Sequence, residues 1–343
     1  MKQVVVSDGL RESAVHPRAL FDQYVALLGS DIRLLFKDRS DFVAIDCPAC
    51  QGAATPIFEK LTFAYRTCDE CGSTFVSPRP DGTALRRFME ASEAVRFWQS
   101  TVEPETKPGR TQSILEPRAL WVRSHTADVT PAGPELVDLF SKYPSFLETL
   151  AQSGAFRGVM SIEPQVALSS VSPGTVLRVE RDLGPALAKG VKADLLSAFE
   201  CLERASDVDE FMTVAATLLN PDGLLFLTTM TWSGFDLQIL AARSRNVLPP
   251  VHLNLLSIEG LRRLLERRGF EVVELSTPGQ LDVEIVRHAI EDDPAIELPP
   301  FVNDLLRSRD EQVHDAFQQF LQGALMSSHL RLVARRARSE ASE

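Results

Sequence analysis

From residue 135 onward, short apolar runs of strand length alternate with segments of helical character, and this alternation constrains the fold more than any other feature of the chain. The runs are ELVDLF (135–140), GVMSIE (158–163), TVLRVE (175–180), ADLLSAFE (193–200) and GLLFLTTM (223–230). PSFLETLAQSG lies between the first two and ends on Gly154, a helix C-cap by composition. DVDEFMTVAATLL carries acids in its first turn, as a helix N-terminus favours. SIEGLRRLLERRGF (257–270) reads as a helix stopped by glycine and feeds a strand at EVVELST. A polar helical stretch at 301–322 precedes a last strand, HLRLVARR. Such alternation predicts an α/β fold with a mainly parallel sheet and helices on both faces.

The first ~125 residues have a different texture. ALFDQYVALLGSDIRLLF places Leu20, Tyr24, Leu27, Leu28, Leu34 and Leu35 at near-helical spacing. Residues 81–124 read as helical, with Leu85, Phe88, Met89, Val95, Phe97 and Trp98 as apolar faces. Between these lie two cysteine pairs, Cys47-Pro-Ala-Cys50 and Cys68-Asp-Glu-Cys71-Gly, separated by 17 residues. That spacing suits a four-thiolate zinc site, because each turn presents two sulfurs and two turns close a tetrahedron. Gly72 permits the tight backbone after the second pair. The alternative is four core cysteines or a redox pair. A filled thiolate shell leaves no open position, so the zinc is predicted to be structural. Pro78-Arg79-Pro80 reads as the exit from this unit, unable to continue a ladder, and TPAGP (130–134) reads as a linker. The remaining cysteine, Cys201, sits in an apolar context and reads as a small core residue.

A formal net charge of −11 argues against nucleic acid as a partner. No apolar run reaches the ~18 residues of a membrane span. The opening MKQVVVSDGLRES turns polar after three valines, unlike a secretory leader. Five cysteines are too few for a disulfide scaffold, and the predicted compartment is a reducing cytoplasm.

Taken in order, the paired CxxC motifs, CGSTFVSPRP, SEAVRFW, ADLLSAFECLE, LLNPDGLLFLTT, PPVHLNLLSIEGLRRLLERRGFEVVE, TPGQLDVEIV and SSHLRLVAR resemble class I S-adenosylmethionine-dependent methyltransferases with an N-terminal zinc-binding domain. Many of these act on nucleotide-linked sugars, including deoxysugar C-methyltransferases. The resemblance implies an α/β, Rossmann-like methyltransferase sheet of seven strands, preceded by a four-cysteine zinc-binding domain. It divides the chain into residues 1–125 and 126–343, with a helical insertion around 278–325. It implies S-adenosylmethionine beyond the carboxyl ends of the first strands, with Asp138, Tyr143 and Glu163 as cofactor-binding candidates. Glu163 stands where an acid would accept the ribose hydroxyls; otherwise it is a solvated strand-end carboxylate. Glu200, Glu203 and His252 map near the substrate cleft as general acid or base candidates, His252 having a structural role as its alternative. Trp232, Phe235 and Asp236 line a substrate pocket on this reading and pack the core on the other.

Two departures stand out. Where the family carries a glycine-rich loop, residues 138–144 place Phe140, Lys142 and Pro144 at the glycine positions. Side chains there are predicted to obstruct the donor, and left-handed backbone becomes costly. The family's Glu-His pair is here Glu203-Arg204, and arginine stays protonated, so it cannot be a base. Three readings follow. The first is a methyltransferase acting on a nucleotide-sugar or related small metabolite. The second is an inactive pseudoenzyme serving as binding or scaffold partner to another protein. The third is an enzyme that reuses the pocket without the methyl donor.

Overall fold

The computed structural model describes residues 10–126, 133–140, 144–162, 177–180 and 183–337. One sheet is built from β1 (Glu135–Leu139), β2 (Gly158–Ile162), β3 (Leu177–Glu180), β4 (Ala193–Phe199), β5 (Leu219–Met230), β6 (Phe270–Ser276) and β7 (His329–Arg336). Its order is β6-β7-β5-β4-β1-β2-β3. The strands from β3 through β5 run parallel, and β7 is antiparallel to both β5 and β6. Strand order reverses between β1 and β4, so the carboxyl ends of those strands form the natural crevice for ligand. The apolar runs are central strands covered on both faces: Leu136, Val137 and Leu139 of β1 are all buried.

Helices Pro144–Gln152, Leu183–Ala188, Val208–Leu218 and Ile258–Arg267 lie between the strands. Asp207 and Ser257 cap the last two, accepting from the backbone N–H of Glu210 and Gly260. Gly154 (φ +69°) and Gly269 (φ +73°) leave their helices through left-handed backbone, as the sequence predicts. Between β6 and β7 the chain forms three helices, Asp282–Asp292, Pro300–Ser308 and Glu311–Gly323. All three fall within the helical insertion expected around 278–325; the first lies outside the 301–322 stretch read as helical from its pattern, and Val283, Ile285, Val286 and Ile290 give it a buried face.

The N-terminal helix Arg18–Leu35 buries Phe21, Tyr24, Leu28 and Ile32. Leu34, expected on the apolar face, is 74% exposed, because it projects away from the 21–24–28–32 stripe. Strands Ala54–Lys60, Phe63–Cys68 and Thr74–Val76 form the sheet of the cysteine unit, and its fourth strand, Asn254–Leu255, comes from beyond β5. Arg79–Pro80 does pair, antiparallel to Phe42–Val43, contrary to the expectation that the prolines would bar a ladder. The pairing is a two-residue ribbon, the kind of edge position where proline is tolerated. Residues 82–124 are helical, interrupted by π turns at Trp98–Val102 and Thr111–Leu115. Among the described residues no helix is long and apolar enough to cross a membrane.

Candidate functional site

The sulfurs of Cys47, Cys50, Cys68 and Cys71 all lie within 4.8 Å of one another. Cys47 and Cys71 are 3.6 Å apart, and Cys50 and Cys68 are 3.4 Å apart. Zinc–thiolate bonds of ~2.3 Å at tetrahedral angles place sulfurs about 3.8 Å apart, so the donor set fits that ion. The two turns repeat one geometry. Gln51 N–H donates to Cys47 O at 2.8 Å and Gly72 N–H to Cys68 O at 3.0 Å. Gln51 (φ +65°) and Gly72 (φ +71°) both take left-handed backbone, the second at no cost because it is glycine. Burial pushes the Cys50 thiol up to about 11, so a bound cation is what would hold it as a thiolate. The N-terminus of helix Ile258–Arg267 abuts the site: Ser257 Oγ donates to Cys71 O, and Ser73 Oγ accepts from Ser257 N–H at 3.0 Å. A Cβ at Gly260 would lie 2.0 Å from Ser73 Oγ and 3.1 Å from Cys71 Sγ, so only glycine fits there.

A cavity of about 300 Å³ opens at the carboxyl ends of β4 and β5, and Glu200, Glu203 and His252 all line it. The turn after β4 brings in the two acids. Glu200 adopts left-handed backbone (φ +57°) while its N–H donates to Thr228 O at 2.8 Å. Its carboxylate accepts from Arg118 Nη2 at 2.6 Å, and the Arg118 guanidinium lies 5.3 Å from the centre of the Phe199 ring. Glu203 is 2% exposed and accepts from Thr229 Oγ1 at 2.9 Å. Leu248 N–H donates to His252 Nδ1 at 3.2 Å, which puts the proton of the neutral ring on Nε2 and makes that edge a donor. Arg204 joins the same wall.

The cysteine unit supports this wall. Tyr65 Oη donates to His252 O at 2.7 Å. Arg79 Nη1 donates to Asn254 Oδ1 at 2.7 Å, and Asn254 Nδ2 donates to Leu202 O at 2.9 Å and Ala205 O at 2.8 Å. The Glu203 turn is thereby tied to the segment that follows the cysteines. Trp98, Gln99, Ser113 and Ile114, from the two π turns, complete the opposite side.

Other candidates lie elsewhere. Trp232 packs 6.0 Å from Phe58, and Phe235 packs 5.2 Å from Phe317, each in an apolar cluster rather than on the cavity. Asp236 is fully buried behind Asp282; burial and that neighbouring acid push its carboxyl well above the usual range. Apolar neighbours in the sequence, Phe235 and Leu237, drew all three into packing. Asp138 is 2% exposed and accepts from Ser197 Oγ across β1 and β4. Tyr143 and Glu163 lie outside the described residues. Phe140 takes left-handed backbone (φ +56°), and its side chain packs against the core cluster containing Leu139 and Ile162. Cys201 is buried, its thiol donating to Phe199 O at 3.2 Å, as a core residue.

Sequence reasoning missed the N-terminal contribution to the cavity: His16, Tyr24, Arg110 and Arg118. One signal was present. Arg118 occupies the same helix face as Ala119 and Val122, and an arginine on a buried face is a residue held there for its charge.

Residues 125–275 match the family of methyltransferase domains. A ubiquinone biosynthesis O-methyltransferase of Bartonella bacilliformis is 39% identical over 56 residues, 16% of this chain and 23% of that protein; the match thus spans about a quarter of the relative's length. Among solved structures, an S-adenosylmethionine-dependent methyltransferase from Mesorhizobium loti is similar at 15% identity and TM-score 0.41, covering 65% of this chain and all of that one. A cyclopropane synthase from Mycobacterium tuberculosis is similar at 14% identity and TM-score 0.41, over 64% of this chain and 83% of its own. With this domain match, its seven-stranded mixed sheet and its clustered cysteines, the chain has a methyltransferase-like α/β fold.

Proposed function

We propose that this protein is a class I methyltransferase that uses S-adenosylmethionine to methylate a small metabolite, of the nucleotide-sugar class or related to it. The observation that carries the reading is the convergence of Glu200, Glu203 and His252 on one cavity at the carboxyl ends of β4 and β5. When bound, the donor supplies a methyl group on a sulfonium. Asp138, Tyr143 and Glu163 are the residues proposed to hold it, at the strand ends where such folds take ligand. Phe140 supports this fit. Its backbone already follows the left-handed path a glycine would take, and its ring rests on the core.

Around the acceptor, Glu203 is the proposed general base. It is buried beside Thr229, whereas Glu200 is committed to Arg118. His252, a donor at Nε2, orients the acceptor. Arg204 holds charge and takes no proton. The four cysteines bind one structural zinc, and five cysteines without a disulfide among them suit a reducing, cytoplasmic setting.

The pseudoenzyme reading, with a protein partner in place of a substrate, is favoured by one observation: Arg204, which cannot act as a base, stands after Glu203 where the family carries histidine. Incubation with methyl-labelled donor and a panel of hexose phosphates and nucleotide-sugars separates the readings. Label transferred to a sugar, and lost in Glu203→Gln, supports the enzyme. Label that never leaves a bound donor supports the pseudoenzyme.

A further inference from the structure

Two arginines of the cavity, Arg118 and Arg204, carry buried donors for which the described residues supply no acceptor. Arg118 is 1% exposed; Nη2 engages Glu200, while Nε and Nη1 are buried and meet no acceptor among the described residues. Arg204 Nε is likewise buried without an acceptor. Among the described residues Arg110 donates to neutral groups, Thr106 Oγ1 at 2.9 Å and Val15 O at 2.7 Å. Unpaired buried donors are costly, and native interiors rarely keep them without a reason.

Two of the acids on the wall are already engaged. Glu200 is paired with Arg118, and Asp282 accepts from Gln318, Ser327 and the N–H of Ser328. Two of the three histidines of the cavity, His16 and His329, lie in the field of these arginines. Burial, followed by the charge of Arg110, holds His16 down to about 3, and burial, followed by Arg118 and Arg331, does the same to His329. Facing the arginines is an aromatic wall, in which Tyr24 and Trp98 meet edge to face at 4.9 Å. Burial raises the Tyr24 phenol although the charge of Arg204 opposes it, so the hydroxyl keeps its proton and remains a donor.

Resting on the reading of this cavity as the acceptor site, we infer that it recognises a small ring-bearing oxyanion. The carboxylate or phosphate sits on Arg204 and Arg118, and the ring lies against Tyr24 and Trp98. A guanidinium fork matches either oxyanion in bidentate fashion. The aromatic faces accept a planar ring or the C–H face of a sugar. A volume of about 300 Å³ is at the small end of ligand pockets, enough for an aromatic acid or for the sugar-phosphate part of a nucleotide-sugar.

The test is calorimetric titration of the zinc-loaded full chain without methyl donor, using glucose 1-phosphate, benzoate, their neutral counterparts glucose and benzamide, and inorganic phosphate. At least one ringed anion binds tenfold or more tightly than its neutral counterpart, and whether it is the sugar phosphate or the benzoate identifies the source. Arg204→Met abolishes that preference and Arg204→Lys retains part of it. Equal binding of charged and neutral members, no binding by either anion, inorganic phosphate binding as tightly as the ringed anions, or an intact preference in a folded Arg204→Met overturns the inference. If Arg204→Met does not fold, the wild-type comparison decides. The assay contains no donor, so a failure of S-adenosylmethionine binding leaves this result standing, and a failure here leaves donor binding to be judged separately.

Discussion

Arg79 Nη1 lies 2.7 Å from Asn254 Oδ1, and through Asn254 this one contact joins the segment after the cysteine pairs to the turn that carries Glu203. Arg79 is 1% exposed, and burial lowers its pKa only to about 10, so it stays charged at neutral pH. Arg79→Met removes the donor and leaves Asn254 Oδ1 unpaired in the interior. The expected loss is about 1–3 kcal/mol of stability, read from the denaturant midpoint. Asn254→Ala should cost a similar amount, and the double variant should cost less than the sum, because the two residues share one network.

Metal removal should act on the same wall. Tyr65 and Arg79 both reach it from the cysteine unit, so stripping zinc with a chelator, or Cys68→Ser, should disorder the hold on His252 and the Glu203 turn. One zinc per chain by metal analysis, with loss of cavity ligand binding on chelation, is the expected outcome. Four freely reactive thiols in the untreated protein would contradict it.

Gly260 offers a sharper probe of the junction. Its replacement by alanine puts a methyl group 2.0 Å from Ser73 Oγ, with Cys71 Sγ at 3.1 Å behind. The strain should cost about 1–3 kcal/mol and weaken zinc retention, whereas alanine at exposed Glu259 on the same helix should do neither. Competition with a chromogenic chelator measures the difference.

Stability should fall as pH drops below the ordinary histidine range. His16 and His329 are held to about 3 in the folded chain by burial, with arginine charges adding to it. Protons therefore favour the unfolded chain between about 6.5 and 3. The stabilisation is complete above pH 6.5 and is lost progressively toward pH 3. Denaturant midpoints at pH 7.5 and pH 5 should differ, and His16→Gln should flatten the dependence.

Much of this was legible in the sequence. The spacing of Cys47, Cys50, Cys68 and Cys71 is dictated by tetrahedral geometry, so their cluster could be read from two local turns. The strands were legible because central strands buried on both faces carry runs of apolar residues, such as Leu136, Val137 and Leu139 in β1 and Leu224, Leu225, Phe226 and Leu227 in β5. Glu200, Glu203 and His252 were placed by family resemblance, and the fold brings them to one cavity. What could not be read was non-local. Asn254–Leu255 completes the sheet of the cysteine unit across nearly two hundred residues, and no local pattern encodes that pairing. Arg118 and His16 reach the cavity for the same reason, through the docking of the N-terminal helices. Trp232 and Phe235 took the packing alternative, because aromatic residues beside a strand end serve packing as readily as binding.

The loop after β1 carries the central claim, since a methyltransferase must hold its donor there. Pro144 in place of a glycine removes a backbone N–H that could have contacted the donor, which predicts an affinity at least ~2 kcal/mol weaker, roughly thirtyfold, than an intact glycine loop allows. Calorimetric titration of the wild-type chain with S-adenosylmethionine and S-adenosylhomocysteine tests this most directly. Saturable one-to-one binding of both, weak but competitive with each other and tightened by Pro144→Gly, is the predicted result. No binding of either compound at millimolar concentration, in the wild type and in Pro144→Gly alike, would contradict the proposal of a methyltransferase.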